Sequence, residues 1–393
     1  MLSSSLRLGC LGTRQLALTS RSRSGCPGRQ GQLQAAVSRP GGRHMAGPHR
    51  PGLATSASAA RLEGHSWLPK ELGIRLPEHC QVPPATLPLL HQVLEHYAER
   101  TPGLRTVVEG VMRPRYGAGT EAARELGHDH FAFRTFGVPG LGISSLERIL
   151  VPLGYQRMDD PEAPLTFPGK KLVATWFTPT DPRVRAVLPR VFVSEIQVER
   201  LSDAAQGVIR GATAWAAATA AAAGGEEAVT VQVLTALLTG TAPWPRPTLE
   251  QYELLLRESE YAAWVLAHGY SLNHTALALH RLPRGVGHNL DMNDFVRHLE
   301  GAGMAMNAEG GLVKVSPDGL LLQCSVVADR RPFDFACGQR RDIAAAYVEF
   351  VKRLRLPRFA ELRAEELREE HLREGFEVGN ADRIFESTTL AAH

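Results

Sequence analysis

The alternation of hydrophobic and polar positions predicts two successive units with the same order of elements. From residue 128 onward, a strand of alternating polarity precedes an amphipathic helix and three extended segments. The same order returns from residue 270, after one additional helix. The pattern therefore predicts an α+β fold of paired βαβββ units, with the first unit at 126–205 and the second, with its extra helix, at 248–357.

Three further segments flank or separate these units. Residues 63–125 are predicted to be mostly helical, because the apolar side chains of 86–100 recur at helical spacing. Residues 206–247 form an Ala- and Pro-rich insertion, in which 212–225 is either a helix or a low-complexity stretch. Residues 358–393 are interpreted as a C-terminal tail.

The most informative element is the predicted strand His128–Phe136, HDHFAFRTF. Successive side chains of a strand point to opposite faces, so His128, His130, Ala132 and Arg134 are predicted to share one face. Burying two imidazoles and a guanidinium on an apolar strand costs free energy unless they have partners. We therefore interpret this strand as half of a metal site, with His130 as the ligand and His128 left out.

The other half of the site is expected in the second unit. His274 lies in the first predicted strand of that unit, at the position that His130 has in the first. Two His and one carboxylate form the ligand set of non-haem iron, and Glu349 lies within an apolar run. A hydrogen-bonded core role for His274 and a solvent-facing Glu349 remain alternatives at this stage. Glu195, in the last strand of the first unit, is a competing carboxylate.

Arg134 is a candidate for binding a carboxylate of the substrate. It lies four residues beyond His130 on the same predicted face, about 13 Å along the strand. The planar fork of its guanidinium suits two-point contact with a carboxylate. The alternative is a salt bridge to an acid on the neighbouring strand.

The charge distribution separates the N-terminus from the rest of the chain. Residues 1–62 contain nine Arg, no Lys and no acid, so the net charge of +3 leaves −6 for residues 63–393. The Arg- and Ser-rich composition predicts a disordered organelle transit peptide at 1–62, for a plastid or alternatively a mitochondrion. Nothing favours nucleic-acid binding, and no apolar run is long enough to span a membrane.

Several motifs resemble those of the 2-oxoadipate dioxygenase/decarboxylase family, also called 2-hydroxyglutarate synthase, and in particular its plant plastid members. They are HxxxR at His130–Arg134, Asn273-His274, Tyr347-Val348-Glu349-Phe350, LQCSVVAD at 322–329 and GFEVGNADRIFES at 375–387. The resemblance covers roughly residues 85–390. It implies a fold similar to that of the vicinal oxygen chelate enzymes.

The resemblance also implies a site and a reaction. Fe(II) is implied as the cofactor, held by His130, His274 and Glu349, and Arg134 as the residue that binds the substrate carboxylate. The tail would contribute Val378, Gly379 and Asn380 to the substrate pocket. The bacterial pattern has a Ser where this chain has Gly379 and Asn380. The implied reaction converts the 2-oxo dicarboxylic acid 2-oxoadipate and O2 to 2-hydroxyglutarate and CO2, in lysine catabolism.

Two alternatives to this function remain open from the sequence. One is another dioxygenase or a lyase on the same scaffold with Mn, Zn or Ni, because the ligand set does not fix the metal. The other is a non-catalytic member that keeps the fold to bind a partner. The oligomeric state is not predicted.

Overall fold

The structure is a computed structural model of the full chain. The predicted transit peptide at 1–62 lies outside the described residues. No helix in the described part of the chain is long and apolar enough to cross a membrane. The residues that the structure describes are 68, 72–117, 126–222, 225–282, 286–287, 289–363 and 366–392.

A helical segment precedes the sheet, as the apolar spacing predicted. Helix α1 covers Thr86–Arg100 and buries the apolar face that contains Leu90, Val93, Leu94 and Tyr97. Three short helical turns follow in direct succession: α2 (Gly103–Arg105), a π-helical stretch (Thr106–Met112) and α3 (Arg113–Tyr116).

Nine strands among the described residues form one curved sheet, which confirms the α+β fold class. Its order is β2-β4-β5-β1-β6-β11-β8-β7, with the short β3 beside β4. The strands are β1 (His128–Gly137), β2 (Tyr155–Arg157), β3 (Leu165–Phe167), β4 (Leu172–Pro179), β5 (Arg190–Gln197), β6 (His274–Ala278), β7 (Lys314–Val315), β8 (Leu321–Ser325) and β11 (Tyr347–Arg353).

The two halves of the sheet have matching topology. In each half the first strand pairs in parallel with the last, β1 with β5 and β6 with β11. The halves join where β1 and β6 run antiparallel at the centre. Helices α4 (Gly142–Leu150) and α9 (Met292–Gly301) follow the first strand of each half. Both pack on the same outer face, where Phe295 of α9 contacts Phe350.

The segment between the halves is helical and includes the Ala-rich stretch. It contains α5 (Asp203–Ala221), α6 (Gly225–Thr239), α7 (Leu249–Glu258) and α8 (Glu260–His268). The one additional helix predicted before the strand at residue 270 is instead two helices, α7 and α8, because the helix breaks at Ser259. The Ser259 hydroxyl instead accepts a hydrogen bond from the Ala262 N–H and caps α8.

The second half differs from its predicted strands in two ways. The strand predicted to begin at residue 270 begins at 274 and ends at 278. A hairpin that was not predicted, of β9 (Arg330–Asp334) and β10 (Arg340–Ala344), lies off the main sheet. After the sheet, α10 (Val378–Ile384) and α11 (Glu386–Ala392) bring the end of the chain back to the inner face.

Candidate metal centre

The three predicted ligands come from three adjacent strands at the centre of the sheet. Across β1 and β6, His130 lies opposite Ala276, and across β6 and β11, Glu349 also lies opposite Ala276. His274 is two residues from Ala276 and therefore shares its face. Strand register alone thus brings His130, His274 and Glu349 onto one face.

Their ligand atoms converge on a single point. All three lie within 4.8 Å of one another. Glu349 Oε2 is 3.4 Å from His130 Nε2 and 3.1 Å from His274 Nε2. The three residues are 1 to 5% exposed. A buried carboxylate between two imidazoles is the arrangement expected of a site built for a cation.

The ring orientation of each ligand His is fixed by a hydrogen bond from its Nδ1. His130 Nδ1 donates to Asp129 Oδ2 at 3.0 Å, and His274 Nδ1 donates to Asn273 Oδ1 at 3.0 Å. Donation from Nδ1 leaves the Nε2 lone pair free to bind a metal. Asp129 is held in turn by Arg353, at 2.6 and 2.9 Å.

The carboxylate is oriented by a chain of two amides. Gln323 Nε2 donates to Glu349 Oε1 at 2.7 Å, and Gln323 Oε1 accepts from Asn380 Nδ2 at 2.9 Å. All three side chains are buried. The amide occupies Oε1, so Oε2 is the oxygen that faces the two imidazoles.

The titration behaviour of the three groups also favours a bound cation. Burial opposes ionisation of Glu349, but the neighbouring His130 and His274 together outweigh it and lower the carboxyl pKa to about 2. Burial lowers the pKa of His274 to about 4. For His130, burial is likewise opposed by Glu349, whose charge raises the imidazole pKa. Glu349 therefore favours positive charge at the point where a divalent ion would bind.

His128 does not share a face with His130, so that expectation was wrong. The pairing of β1 with β6 shifts by one residue between His128 and His130, which is a β-bulge that changes the direction of one side chain. His128 accordingly contacts Thr275 Oγ1 at 2.7 Å and the Leu72 carbonyl at 2.8 Å, on the other face. The same bulge lets Asp129 approach His130.

Glu195, the competing carboxylate, faces away from the centre. On β5, Glu195 pairs with Thr135 of β1, and its side chain lies on the outer face of the sheet. Its Oε2 accepts a hydrogen bond from the Ile143 N–H at 2.8 Å, at the start of α4. Burial raises the pKa of this carboxyl. Glu195 therefore accepts a hydrogen bond at the N-terminus of α4 and lies apart from the candidate metal centre.

Arg134 lies on the ligand face but is engaged by groups outside the sheet. Its Nη1 is 3.2 Å from Glu260 Oε2, and its Nη2 donates to Thr388 Oγ1 at 2.7 Å. Its Nε is buried and has no hydrogen-bond partner among the described residues. The partner acid comes from α8, whereas the salt-bridge alternative placed it on a neighbouring strand.

The space above the ligands is a cavity of about 20 Å³, closed by the C-terminal segment. The segment contributes Phe376, Ala381, Ile384 and Phe385 to its lining. Val378 and Gly379 are not in the lining, and Gly379 is exposed at the start of α10. Asn380 is buried but reaches Glu349 only through Gln323.

Sequence reasoning missed several residues that support the centre. Asp129 and Asn273, each directly before a ligand His, hold the imidazoles, while Gln323 holds the carboxylate. A polar side chain on the inner face of an apolar strand was the available signal for Gln323. Phe376, which packs against His130 with ring centroids 4.9 Å apart, had no such signal.

The sheet topology of this chain recurs in a solved structure. A Ralstonia eutropha protein described as a glyoxalase superfamily member has a similar fold, with a TM-score of 0.54 and 20% identity. That match covers 78% of this chain and 92% of the other. The chain thus has the paired-unit fold of glyoxalase-like proteins, with a two-His, one-Glu candidate centre.

The chain belongs to the 2-oxoadipate dioxygenase/decarboxylase family, whose model matches residues 89–366. A 2-oxoadipate dioxygenase/decarboxylase of Oryza sativa, named chloroplastic/amyloplastic, is 39% identical over 358 residues, covering 86% of this chain and 92% of the relative. The crystal structure of an Oryza sativa hydroxyglutarate synthase in complex with 2-oxoadipate matches with a TM-score of 0.69 and 38% identity, covering 82% and 96%. These matches confirm the family expected from the motifs.

Proposed function

We propose that this chain converts 2-oxoadipate and O2 to 2-hydroxyglutarate and CO2. The observation that carries the proposal is the convergence of His130, His274 and Glu349 on one point, in a chain that belongs to a decarboxylating dioxygenase family. Relatives are named for this reaction, and one structure holds 2-oxoadipate.

Fe(II) is the proposed metal, held by His130 Nε2, His274 Nε2 and Glu349 Oε2. Two imidazoles and one carboxylate match the facial triad of non-haem iron oxygenases. Bound there, Fe(II) supplies the one-electron chemistry that O2 requires. No other His, Cys, Asp or Glu among the described residues joins this group, so positions remain for substrate.

The reaction balances without a second organic substrate. The bond between C1 and C2 of 2-oxoadipate breaks, and C1 leaves as CO2. One oxygen atom enters the new carboxylate at C2, and the other becomes the hydroxyl on the adjacent carbon. The 2-oxo acid therefore supplies the electrons for its own hydroxylation.

Arg134 is the proposed residue for binding a substrate carboxylate, which would orient the C–H bond that is hydroxylated. It lines a second cavity of about 210 Å³, and Phe385 lines both this cavity and the one above the metal ligands. Movement of Phe385 would join the two spaces into one that fits a six-carbon diacid. The C-terminal segment would then cover the substrate and exclude water.

The tail residues Val378, Gly379 and Asn380 have a narrower proposed role. The first two lie at the start of α10, so they would position the helix whose later residues line the cavity. Asn380 would act on the centre by fixing the Gln323 amide.

The proposed setting is the plastid, with residues 1–62 as the transit peptide and 2-oxoadipate supplied by lysine catabolism. Support comes from the Arg-rich, acid-free composition of those residues. The chloroplastic/amyloplastic name of the Oryza sativa relative agrees with it.

The function is tested by anaerobic reconstitution with Fe(II), followed by 2-oxoadipate and ¹⁸O2. We expect 2-hydroxyglutarate with one labelled oxygen in the new carboxylate and one in the hydroxyl, together with unlabelled CO2. Parallel samples with Mn, Ni or Zn test the metal. Absence of turnover with bound iron would overturn the proposal, and activity with Zn alone would overturn the choice of metal.

A further inference from the structure

A third cavity, remote from the metal ligands, carries an unusual concentration of positive charge. It has a volume of about 450 Å³ and lies between α1, the loop before α7 and the β9–β10 hairpin. Arg100, Arg246 and Arg331 line it, and no carboxylate does among the described residues. It shares no lining residue with the cavity at His130, His274 and Glu349.

Arg100 lines this cavity, and one nitrogen of its guanidinium has no hydrogen-bond partner among the described residues. Its Nε donates to the His96 carbonyl at 3.2 Å, and its Nη2 donates to the Leu272 carbonyl at 3.3 Å. Its Nη1 is buried and has no partner in the part of the chain that the structure describes. An unpaired buried donor on a charged group costs free energy that a bound anion would recover.

The surroundings compensate this charge only in part, through the exposed Glu99. Burial lowers the pKa of the Arg100 guanidinium to about 10. The charge of Arg331 lowers the pKa of the nearby Asp329 carboxyl, although burial raises it overall. The Asp329 carboxylate accepts a hydrogen bond from the Gly103 N–H at 2.9 Å, and Asp329 does not line the cavity. Arg246 and Arg331 are exposed at the rim, where they can attract an anion from solution.

The walls of the cavity are apolar and aromatic. Trp244 and Phe333 line it. The Trp244 indole N–H is already used by the Leu266 carbonyl at 2.9 Å, so the ring offers apolar surface. Apolar walls with a few fixed polar groups are characteristic of small-molecule sites.

We propose that this cavity binds a small organic anion, with a carboxylate or phosphate group at Arg100 and an apolar body against Trp244 and Phe333. Arg246 and Arg331 contribute at the entrance. The site shares no lining residue with the metal centre, and the apolar body of its occupant distinguishes that occupant from the 2-oxo diacid.

The test is calorimetric titration of the full-length protein with phenyl phosphate, benzoate, inorganic phosphate and the neutral benzyl alcohol. Saturating 2-oxoadipate under anaerobic conditions keeps the probes out of the catalytic site. We expect one equivalent of phenyl phosphate or benzoate to bind, and the stronger of the two identifies the preferred head group. Benzyl alcohol should not bind, and inorganic phosphate should bind more weakly because it lacks an apolar body.

Variants locate the binding. Arg100→Gln removes the donor and should weaken binding by about tenfold or more. Arg246→Gln/Arg331→Gln changes only exposed side chains, so it tests the site even if Arg100→Gln fails to fold. Arg210→Gln, an exposed Arg on α5 outside the cavity, should bind like the wild type. No aromatic anion binding in the wild type, or equal binding in the rim variant, would overturn the proposal.

Discussion

Gln323 and Glu349 form a buried hydrogen bond of 2.7 Å in which the amide donates to the carboxylate oxygen that faces away from the two imidazoles. This contact determines which oxygen of Glu349 is free to bind a cation. Hydrogen-bond partners of this kind set the orientation and basicity of metal ligands. The contact also connects the centre to α10, because Asn380 holds the other end of the amide.

Gln323→Leu should weaken metal binding while leaving the three ligands in place. Leu keeps much of the side-chain volume but removes the donor, so Glu349 can rotate. We expect metal affinity to fall by about 10- to 100-fold, measured by competition with a chelator. Gln232→Leu, at an exposed position of α6, is the matched control. Unchanged affinity in Gln323→Leu would contradict the orienting role.

The two carboxylates that sequence reasoning could not separate, Glu349 and Glu195, should respond differently to removal. Glu349→Ala should abolish metal binding, as should His274→Ala. Glu195→Ala should leave metal content unchanged but lower the free energy of unfolding by about 1 kcal/mol, because the first turn of α4 loses an acceptor. Metal analysis and urea unfolding measure the two effects. Metal loss in Glu195→Ala would show that the assignment is wrong.

The convergence of His130, His274 and Glu349 on one face was predictable only in part from periodicity. His130, His274 and Glu349 each lie in an apolar strand, and alternation places them on a definite face. The pairing of two units then brings these strands together at the centre of the sheet. Periodicity does not decide between Glu349 and Glu195, and the expectation of Glu349 came from the family resemblance.

The environment of the triad was not predictable in the same way. The bulge that separates His128 from His130 adds one residue to a strand without a recognisable turn signal. The partner of Arg134 is Glu260, 126 residues away on a helix whose docking depends on the whole fold. The C-terminal residues that close the cavity likewise depend on tertiary packing, for which a single sequence has no periodic signal.

Acid should weaken the protein through Glu369. Burial alone would raise the pKa of this carboxyl, but Arg281 and Arg190 hold it well below its usual value. The unfolded chain therefore takes up a proton at higher pH than the folded chain. The stabilisation is complete above the unfolded pKa of about 4.3 and is lost as the pH falls through the folded pKa.

Glu369→Gln should accordingly cost about 3 kcal/mol at neutral pH. It leaves Arg281 without its acid and removes one of the acids that pair with Arg190, which keeps Glu374. The difference from wild type should stay constant down to about pH 5.5 and shrink at lower pH, as followed by urea unfolding. Glu370→Gln, at the exposed neighbouring position, should show no such pH dependence. A difference that grows on acidification would contradict the sign of the shift.

Arg134→Gln should leave metal binding intact but reduce kcat/KM for 2-oxoadipate by about 10- to 100-fold, the loss expected for a charged hydrogen bond to a carboxylate. The single change also leaves Glu260 buried without its cation. Arg134→Gln/Glu260→Gln removes that effect, and Arg200→Gln, at an exposed position, controls for loss of charge. If Arg134 binds the substrate, the double variant stays as impaired as the single one. Recovery of kcat/KM in the double variant would show instead that Arg134 only neutralises Glu260.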